Sequence, residues 1–208
     1  MSSSWTAPDR GALFVVTGPS GVGKSTLLHS AFAAIPGLGF SVSATTRAAR
    51  TGETDGVDYH FVSPERFEEL VEEGALLEWA QVYDRRYGTP RKPVEDALSS
   101  GRSIILDIDV QGARQVRDAF PECVSIFILP HSVGVLRQRL QGRGTDSQAI
   151  IDGRMKQVQE QLDGCGEFDY VVVNDDLELA HRCFQAVILA ELQRAERRGS
   201  LVQRFTTG

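Results

Sequence analysis

A lysine and two hydroxyls close the run Gly18-Pro19-Ser20-Gly21-Val22-Gly23-Lys24-Ser25-Thr26, which matches G-x-x-x-x-G-K-[ST] without a mismatch. Chemistry on phosphate needs this order. The glycines let the main chain wrap an anion and turn its N–H groups inward. A helix beginning beside them brings the positive end of its dipole to the same point. Lys24 is then a point charge for the β and γ phosphates of a nucleoside triphosphate, and the Ser25 hydroxyl a ligand for Mg2+. A glycine-rich turn that matches by chance is the competing reading. The context disfavours it, because an apolar strand pattern precedes the run and a helical one follows. The loop alone specifies a nucleotide phosphate; it does not separate a kinase from a GTPase or a motor.

Three further groups of polar residues could complete such a site. Asp107-Ile-Asp109 follows the apolar run that starts at Ser103. Strand-end carboxylates in open α/β sheets sit where ligands bind, so Asp107 is expected to hold Mg2+ through water or to orient an acceptor. The alternative is a carboxylate that caps the helix near Gln111, a task Asp109 could perform in either case. Arg47 and Arg50 lie close together in a strand-to-loop region. Each can grip a phosphate in bidentate fashion, and Tyr59 and Tyr87 can each donate a phenolic hydrogen bond. Two solvated arginines beside two half-buried tyrosines would read the same way. Finally, Arg137, Arg139, Arg143 and Arg154 stand together in an acidic chain. A planar, permanently charged fork suits the charge spread during phosphoryl transfer. A solvated basic helix is the plain alternative.

These residues need elements to position them. Residues 12–17 form a compact apolar run, read as a buried strand, and 27–35 read as a helix ended by Pro36 and Gly37. Further strands are expected at 40–47, 59–62, 75–83, 103–107, 124–129 and 170–173. Helices are expected at 64–73, 94–99, 111–119, 132–141, 148–161 and 179–197, with Ser63 as N-cap and Pro64 at the first helical position of the first of these. Residues 87–90 read as a turn. Strands alternating with helices argue for an α/β fold with a mostly parallel sheet. The segment 40–92 breaks that alternation and reads as an inserted lobe, while 131–160, poor in apolar residues and rich in arginine, reads as a lid.

Composition narrows the function. The chain has 208 residues, 41% hydrophobic and 24% charged, with a net charge of −6. That is enough chain for a real core. The negative charge excludes a general nucleic-acid binder, so any basic function must be local. Cys123, Cys165 and Cys183 are too scattered for a disulfide framework or a zinc knuckle. A reduced, cytoplasmic setting is expected, with no signal peptide in the polar first ten residues and no apolar run long enough to cross a membrane.

The segment Ser41 to Glu53 followed by Gly56-Val-Asp-Tyr-His-Phe61 resembles the acceptor-binding segment of guanylate kinases. Glu78-Trp-Ala80, Tyr87-Gly-Thr-Pro90, Asp107-Ile-Asp109, Gly142-Arg-Gly-Thr145 and Asn174-Asp-Asp176 follow in that family's order, so the resemblance runs from about 12 to 192. The family often has Asn-Tyr-Tyr-Gly where this chain has Arg85-Arg86-Tyr87-Gly88. The resemblance implies a P-loop NTPase-type parallel sheet flanked by helices, with an inserted GMP-binding lobe and a lid. It implies transfer of the terminal phosphoryl group of ATP to GMP, with Mg2+, and to dGMP if the pocket ignores the 2′-OH. It implies that Arg47, Arg50, Tyr59 and Tyr87 hold the GMP phosphate, and that Ser43, Glu78 and Thr89 face guanine. Asp107 and Asp109 are expected near the acceptor, Ser25 and Asp107 at Mg2+, and Asn174 near adenine. Lys24, Arg47, Arg139, Arg143 and Arg154 are expected to carry the transfer. The expected division is a disordered 1–10, a core of 11–39, 93–130 and 161–208, a GMP-binding lobe of 40–92, and a lid of 131–160. The partners are GMP and ATP, with no nucleic acid or membrane; monomer and homodimer are both open. Two rivals are a P-loop kinase of a phosphorylated sugar, which would not need Ser43, Glu78 and Thr89 together, and a guanylate-kinase-like binding module, which would not need an intact Lys24 and Ser25.

Overall fold

The computed structural model describes residues 7–82, 84–136 and 148–206, without the side chains of 148–152, 154 and 157. Five strands form one sheet: β1 (Leu13–Thr17), β2 (Leu38–Phe40), β7 (Ser103–Asp107), β8 (Val124–Pro130) and β9 (Tyr170–Asn174), in the order β2-β7-β1-β8-β9. Every pairing in it is parallel. β1 is central and all five of its residues are buried. A strand covered on both faces has no use for polar alternation, which is why it reads as an unbroken apolar run.

Helices cover the two faces. On one, α1 (Lys24–Ala34) and α6 (Leu177–Leu192) pack with Phe14, Val16, Ile126 and Phe184. On the other, α3 (Arg91–Ser99) and α4 (Val110–Ala119) pack with Leu13, Val15, Leu106 and Val116. The alternating faces of β1 thus feed two separate cores. A second, four-stranded sheet holds β3 (Ala44–Thr45), β4 (His60–Phe61), β5 (Leu76–Val82) and β6 (Arg85–Pro90), in the order β4-β3-β6-β5. The helix α2 (Pro64–Glu72) closes a small core there through the fully buried Phe67 with Ala44 and Leu76. Ser63 caps it by accepting from Arg66 N at 3.2 Å. The last elements are α5 (Gln148–Asp163) and α7 (Gly199–Thr206).

Among the described residues the structure departs from the sequence expectations at several points. The expected strand 40–47 is two strands in different sheets, because Phe40 still pairs with Ile105 of β7 while Ala44 pairs with Gly88 of β6. Residues 87–90 are not a turn but part of β6, paired with both β3 and β5. Gly88 there serves close approach: an added Cβ would sit 2.9 Å from Leu76 Cδ1 and 3.0 Å from the Glu78 carbonyl oxygen. The C-terminal helix stops at Leu192 rather than 197. A 3-10 turn, Ala195–Arg197, then swings Arg197 inward, where its guanidinium donates to the carbonyls of Gly11 (3.3 Å) and Glu122 (3.4 Å). Residues 7–10 are not frayed. Asp9 N donates to the Arg197 carbonyl at 2.9 Å, Ser200 N donates to Asp9 Oδ2 at 2.7 Å, and Arg10 pairs with Glu122 at 2.9 Å.

Candidate active site

The phosphate loop leaves β1 at Thr17 and enters α1 at Lys24. Gly21 and Gly23 have φ of 82° and 100°, a region in which only glycine is unstrained. Gly23 occupies the N-cap of α1 without a side-chain cap, so the first N–H groups of the helix stay available to a ligand. Within the loop, Val22 N donates to the Pro19 carbonyl at 3.1 Å. Lys24 Nζ donates to the Gly18 carbonyl at 2.7 Å and stands 3.7 Å from Asp107 Oδ1. Ser20, Ser25 and Thr26 are exposed on the open side.

Asn174, expected near adenine, has another occupation. Its side chain is 5% exposed, and its Nδ2 donates to the Val22 carbonyl at 2.7 Å. A Cβ on Gly23 would collide with the same amide. The end of β9 therefore braces the loop from behind. Asp175 lies 2.7 Å from His131 Nδ1, and Asp176 caps α6 by accepting from Leu179 N at 2.7 Å. Replacing Asn174 with alanine leaves the Val22 carbonyl buried and unpaired, a loss of about 1–3 kcal/mol. The expected result is a melting temperature lower by several degrees, with a raised KM for ATP. A variant that keeps both values would show that the brace is dispensable.

A second set of bonds fixes the loop against β7. Thr17 Oγ1 donates to the Ile108 carbonyl at 2.9 Å, and Ile108 N donates to the Val16 carbonyl at 3.2 Å. Burial pushes the Asp107 carboxyl above its ordinary value, while Lys24 opposes that shift. Asp109 accepts from Gly112 N at 2.8 Å and so caps α4, and it also faces the neighbouring cavity. Capping and lining are both realised by one residue.

That cavity, about 290 Å³, is lined by Ser43, Tyr59, Glu78, Tyr87, Asp107 and Asp109 among others. Glu78 is 5% exposed, and its Oε1 accepts from Thr89 Oγ1 at 2.6 Å. The antiparallel register of β5 and β6 sets Glu78 opposite Thr89. Burial raises the Glu78 carboxyl to about 7; Thr89 works against that rise and the charge of Asp109 adds to it. A buried acceptor of this kind discriminates strongly between ligands that can donate to it and ligands that cannot.

At the other end of the cavity the rings of Tyr59 and Tyr87 meet edge to face, 6.0 Å between centroids. Burial pushes the Tyr59 phenol up. Arg47 lies 5.3 Å from the Tyr59 ring centre and donates through both terminal nitrogens to Glu53, at 2.9 and 2.8 Å. Glu53 also accepts from Arg50 N at 2.7 Å, and these bonds bring its carboxyl down to about 2. The side chain of Arg50 is exposed. The structure thus gathers Ser43, Tyr59, Glu78, Tyr87, Asp107 and Asp109 around one cavity, with Thr89 bonded to Glu78 and Lys24 beside Asp107. Arg137, Arg139 and Arg143 lie outside the described residues, and Arg154 is on α5 with no side chain described.

Sequence reasoning missed Thr17 and Glu53. Glu53 had a usable signal, an acid six residues beyond Arg47 in a loop; Thr17 acts across 91 positions. Among the described residues no three His, Cys, Asp or Glu side chains cluster to hold a metal ion, and no helix is long and apolar enough to cross a membrane.

Comparison with known proteins supplies the remaining observations. The family model described as guanylate kinase matches residues 10–191. A guanylate kinase of Carboxydothermus hydrogenoformans is 47% identical over 188 residues, covering 90% of this chain and 92% of that protein. One of Parasynechococcus marenigrum is 53% identical over 170 residues, covering 82% and 93%. The crystal structure of guanylate kinase from Anaplasma phagocytophilum superposes with a TM-score of 0.73 at 35% identity, over 92% of each chain.

Proposed function

The chain belongs to the guanylate kinase family, and from that premise we propose how its two adjoining centres divide the work. The reaction is transfer of the terminal phosphoryl group of ATP to GMP, giving ADP and GDP. An oxygen of the GMP phosphate attacks the γ phosphorus, the bond to the bridging oxygen breaks, and ADP leaves. No protein nucleophile is required. The enzyme's task is positioning and charge neutralisation.

The observation that carries the residue assignment is the place of Asp107. It pairs with Lys24 of the phosphate loop and lines the cavity that holds Glu78. Donor and acceptor phosphates are therefore expected to meet there. Gly18 to Thr26 hold the ATP phosphates, with Lys24 on the transferred group. Glu78 accepts from guanine N1–H and the 2-amino group, with Ser43 and Thr89 beside it. Adenine has neither donor and would leave the buried carboxylate with Thr89 but without a partner on the base. Arg47, Arg50, Tyr59 and Tyr87 take the GMP phosphate. Arg139, Arg143 and Arg154 neutralise the moving group from the lid.

Mg2+ suits the residues present. It takes few protein ligands and keeps waters and substrate phosphates, which agrees with one exposed hydroxyl, Ser25, and one largely buried carboxylate, Asp107. When bound, the ion would neutralise charge on the phosphate oxygens. Asp107 must be ionised to hold it, and Lys24 nearby favours that form.

The test is ADP release with ATP and Mg2+ and a panel of acceptors: GMP, dGMP, IMP, AMP, UMP and a phosphorylated sugar. Turnover with GMP far above AMP and UMP is the expected result. Turnover only with the sugar would discard the assignment of Ser43, Glu78 and Thr89. No turnover with any acceptor would favour a binding module.

A further inference from the structure

Glu78 sits on β5, and β5 is the edge strand of the second sheet. An edge strand has a row of main-chain N–H and C=O groups without strand partners, and nothing in its own sheet fixes that side. Here α4 does so. Gln115 Oε1 accepts from Trp79 N at 3.1 Å, and Gln115 Nε2 donates to the Trp79 carbonyl at 2.9 Å. One side-chain amide thus supplies the donor and acceptor that a neighbouring strand would have offered. The clamp acts at the residue next to Glu78, beside the irregularity between Leu76 and Glu78 in the β5–β6 register.

The same helix controls the carboxylate itself. Gly112 lies in the first turn of α4, capped by Asp109. An added Cβ would stand 2.7 Å from Glu78 Oε2, 3.3 Å from Glu78 Cδ and 3.5 Å from Asp109 Oδ1. Gly112 has a negative φ in a helix, so its backbone does not require glycine. Glycine weakens a helix relative to alanine. Its presence here is explained by the space it leaves for Glu78. The buried carboxylate is held in front by Thr89 and rests behind on a bare Cα.

We propose that Gly112 and Gln115 are positioning residues for base selectivity: together they make α4 the wall that sets where the Glu78 carboxylate stands. This rests on the reading of Glu78 as the group that recognises guanine. Neither residue touches the substrate in this scheme. A carboxylate displaced by even an ångström loses the alignment of its two acceptor oxygens with two neighbouring donors on one base edge, while the phosphate loop and Lys24 are untouched.

The experiment uses Gly112→Ala, Gln115→Ala and, as a reference, Glu78→Ala in the whole enzyme. Thermal melts confirm folding, and the rise in melting temperature with ATP and Mg2+ reports the donor site. Steady-state kinetics then give kcat and KM for GMP and for IMP, which lacks the 2-amino group. Gly112→Ala is expected to raise KM for GMP about tenfold or more, with kcat changed far less, and to reduce the GMP to IMP preference by a similar factor. Gln115→Ala should move the same quantities in the same direction. The ATP-induced stabilisation should match the parent enzyme. A folded Gly112→Ala enzyme with parental KM and parental preference overturns the role of Gly112. If that variant does not fold, Gln115→Ala decides alone, and parental values there overturn the proposal. If Glu78→Ala itself leaves the preference unchanged, the guanine reading falls and the proposal falls with it. If Glu78→Ala removes the preference and the two α4 variants do not, only the proposal is lost.

Discussion

Replacing Lys24 with methionine is expected to lower kcat by about 10³-fold or more while leaving the fold intact. The lysine ammonium is already aimed in the free protein, bonded to the Gly18 carbonyl and paired with Asp107. It therefore needs little reorganisation to meet the charge that develops on a phosphoryl group in flight. Methionine keeps most of the apolar stem and removes the charge together with the hydrogen bond to the Gly18 carbonyl. The fold tolerates the change because Asp107, deprived of its cation, can take up a proton. Burial already pushes its carboxyl toward the neutral form. A protonated Asp107 is also a poorer ligand for Mg2+, so the loss should exceed that of one hydrogen bond. The measurement is kcat at saturating ATP and GMP, with a melting curve to show that the variant is folded. Activity within tenfold of the parent would mean that Lys24 does not stabilise the transition state.

Glu78→Gln should act in opposite directions on stability and on selectivity. The carboxyl titrates at about 7 in the folded chain, against 4.5 for the unfolded group, chiefly because it is buried. The folded state therefore binds that proton more tightly. Stability from this source is fully present below pH 4.5 and is lost as the pH rises through about 7. By pH 8 the ionised side chain costs about 3 kcal/mol relative to a neutral one, at about 1.4 kcal/mol for each tenfold change in proton affinity. Glutamine carries no such cost. Its melting temperature at pH 8 should exceed that of the parent by several degrees, and the difference should shrink as the pH is lowered.

Function should move the other way. Guanine needs an acceptor at both N1–H and the 2-amino group, and the glutamine amide offers an acceptor at one place and a donor at the other. We expect kcat/KM for GMP to fall by about 10²- to 10³-fold, with little change in the response to ATP. In the parent enzyme KM for GMP should rise as the pH falls below about 7, since the protonated carboxyl is no longer the right partner. The GMP phosphate titrates near pH 6 as well, so the informative quantity is the difference between parent and variant on the same substrate. A parent and a Gln variant with parallel pH profiles would show that Glu78 does not titrate in the relevant range.

These results would test a site of which one half was written in consecutive residues. Gly18 to Ser25 take their shape from their own main chain, so type and spacing are sufficient to read them. The same holds for Ser63 and Asp109, whose caps reach only three residues along the chain. The parallel sheet was legible for a related reason. Ile104, Ile105 and Leu106 are apolar because both faces of that inner strand are covered.

The acceptor half was legible only as a resemblance, and its physics was not. Arg47 and Tyr87 were visible as residues able to hold a phosphate; that Glu53 takes the arginine fork in the free protein depends on how the loop 48–58 folds back. Tyr87-Gly-Thr-Pro90 looked like a turn because glycine and proline usually mark one. Inside β6 the glycine instead gives room to Leu76 and Glu78, and the need for that room exists only once two strands pair.

What the sequence determined by itself was the phosphate loop, the caps and the α/β alternation, because each arises from interactions within a few residues. What only the tertiary structure decided was the set of contacts that connect residues far apart in the chain. Asn174 reaches Val22 across 152 positions, Gln115 reaches Trp79 across 36, and Thr89 faces Glu78 through a strand register. The proton affinity of Glu78 belongs to the same class. It follows from how much water the packed lobe and α4 exclude from one carboxylate, and no local pattern of residues encodes that quantity.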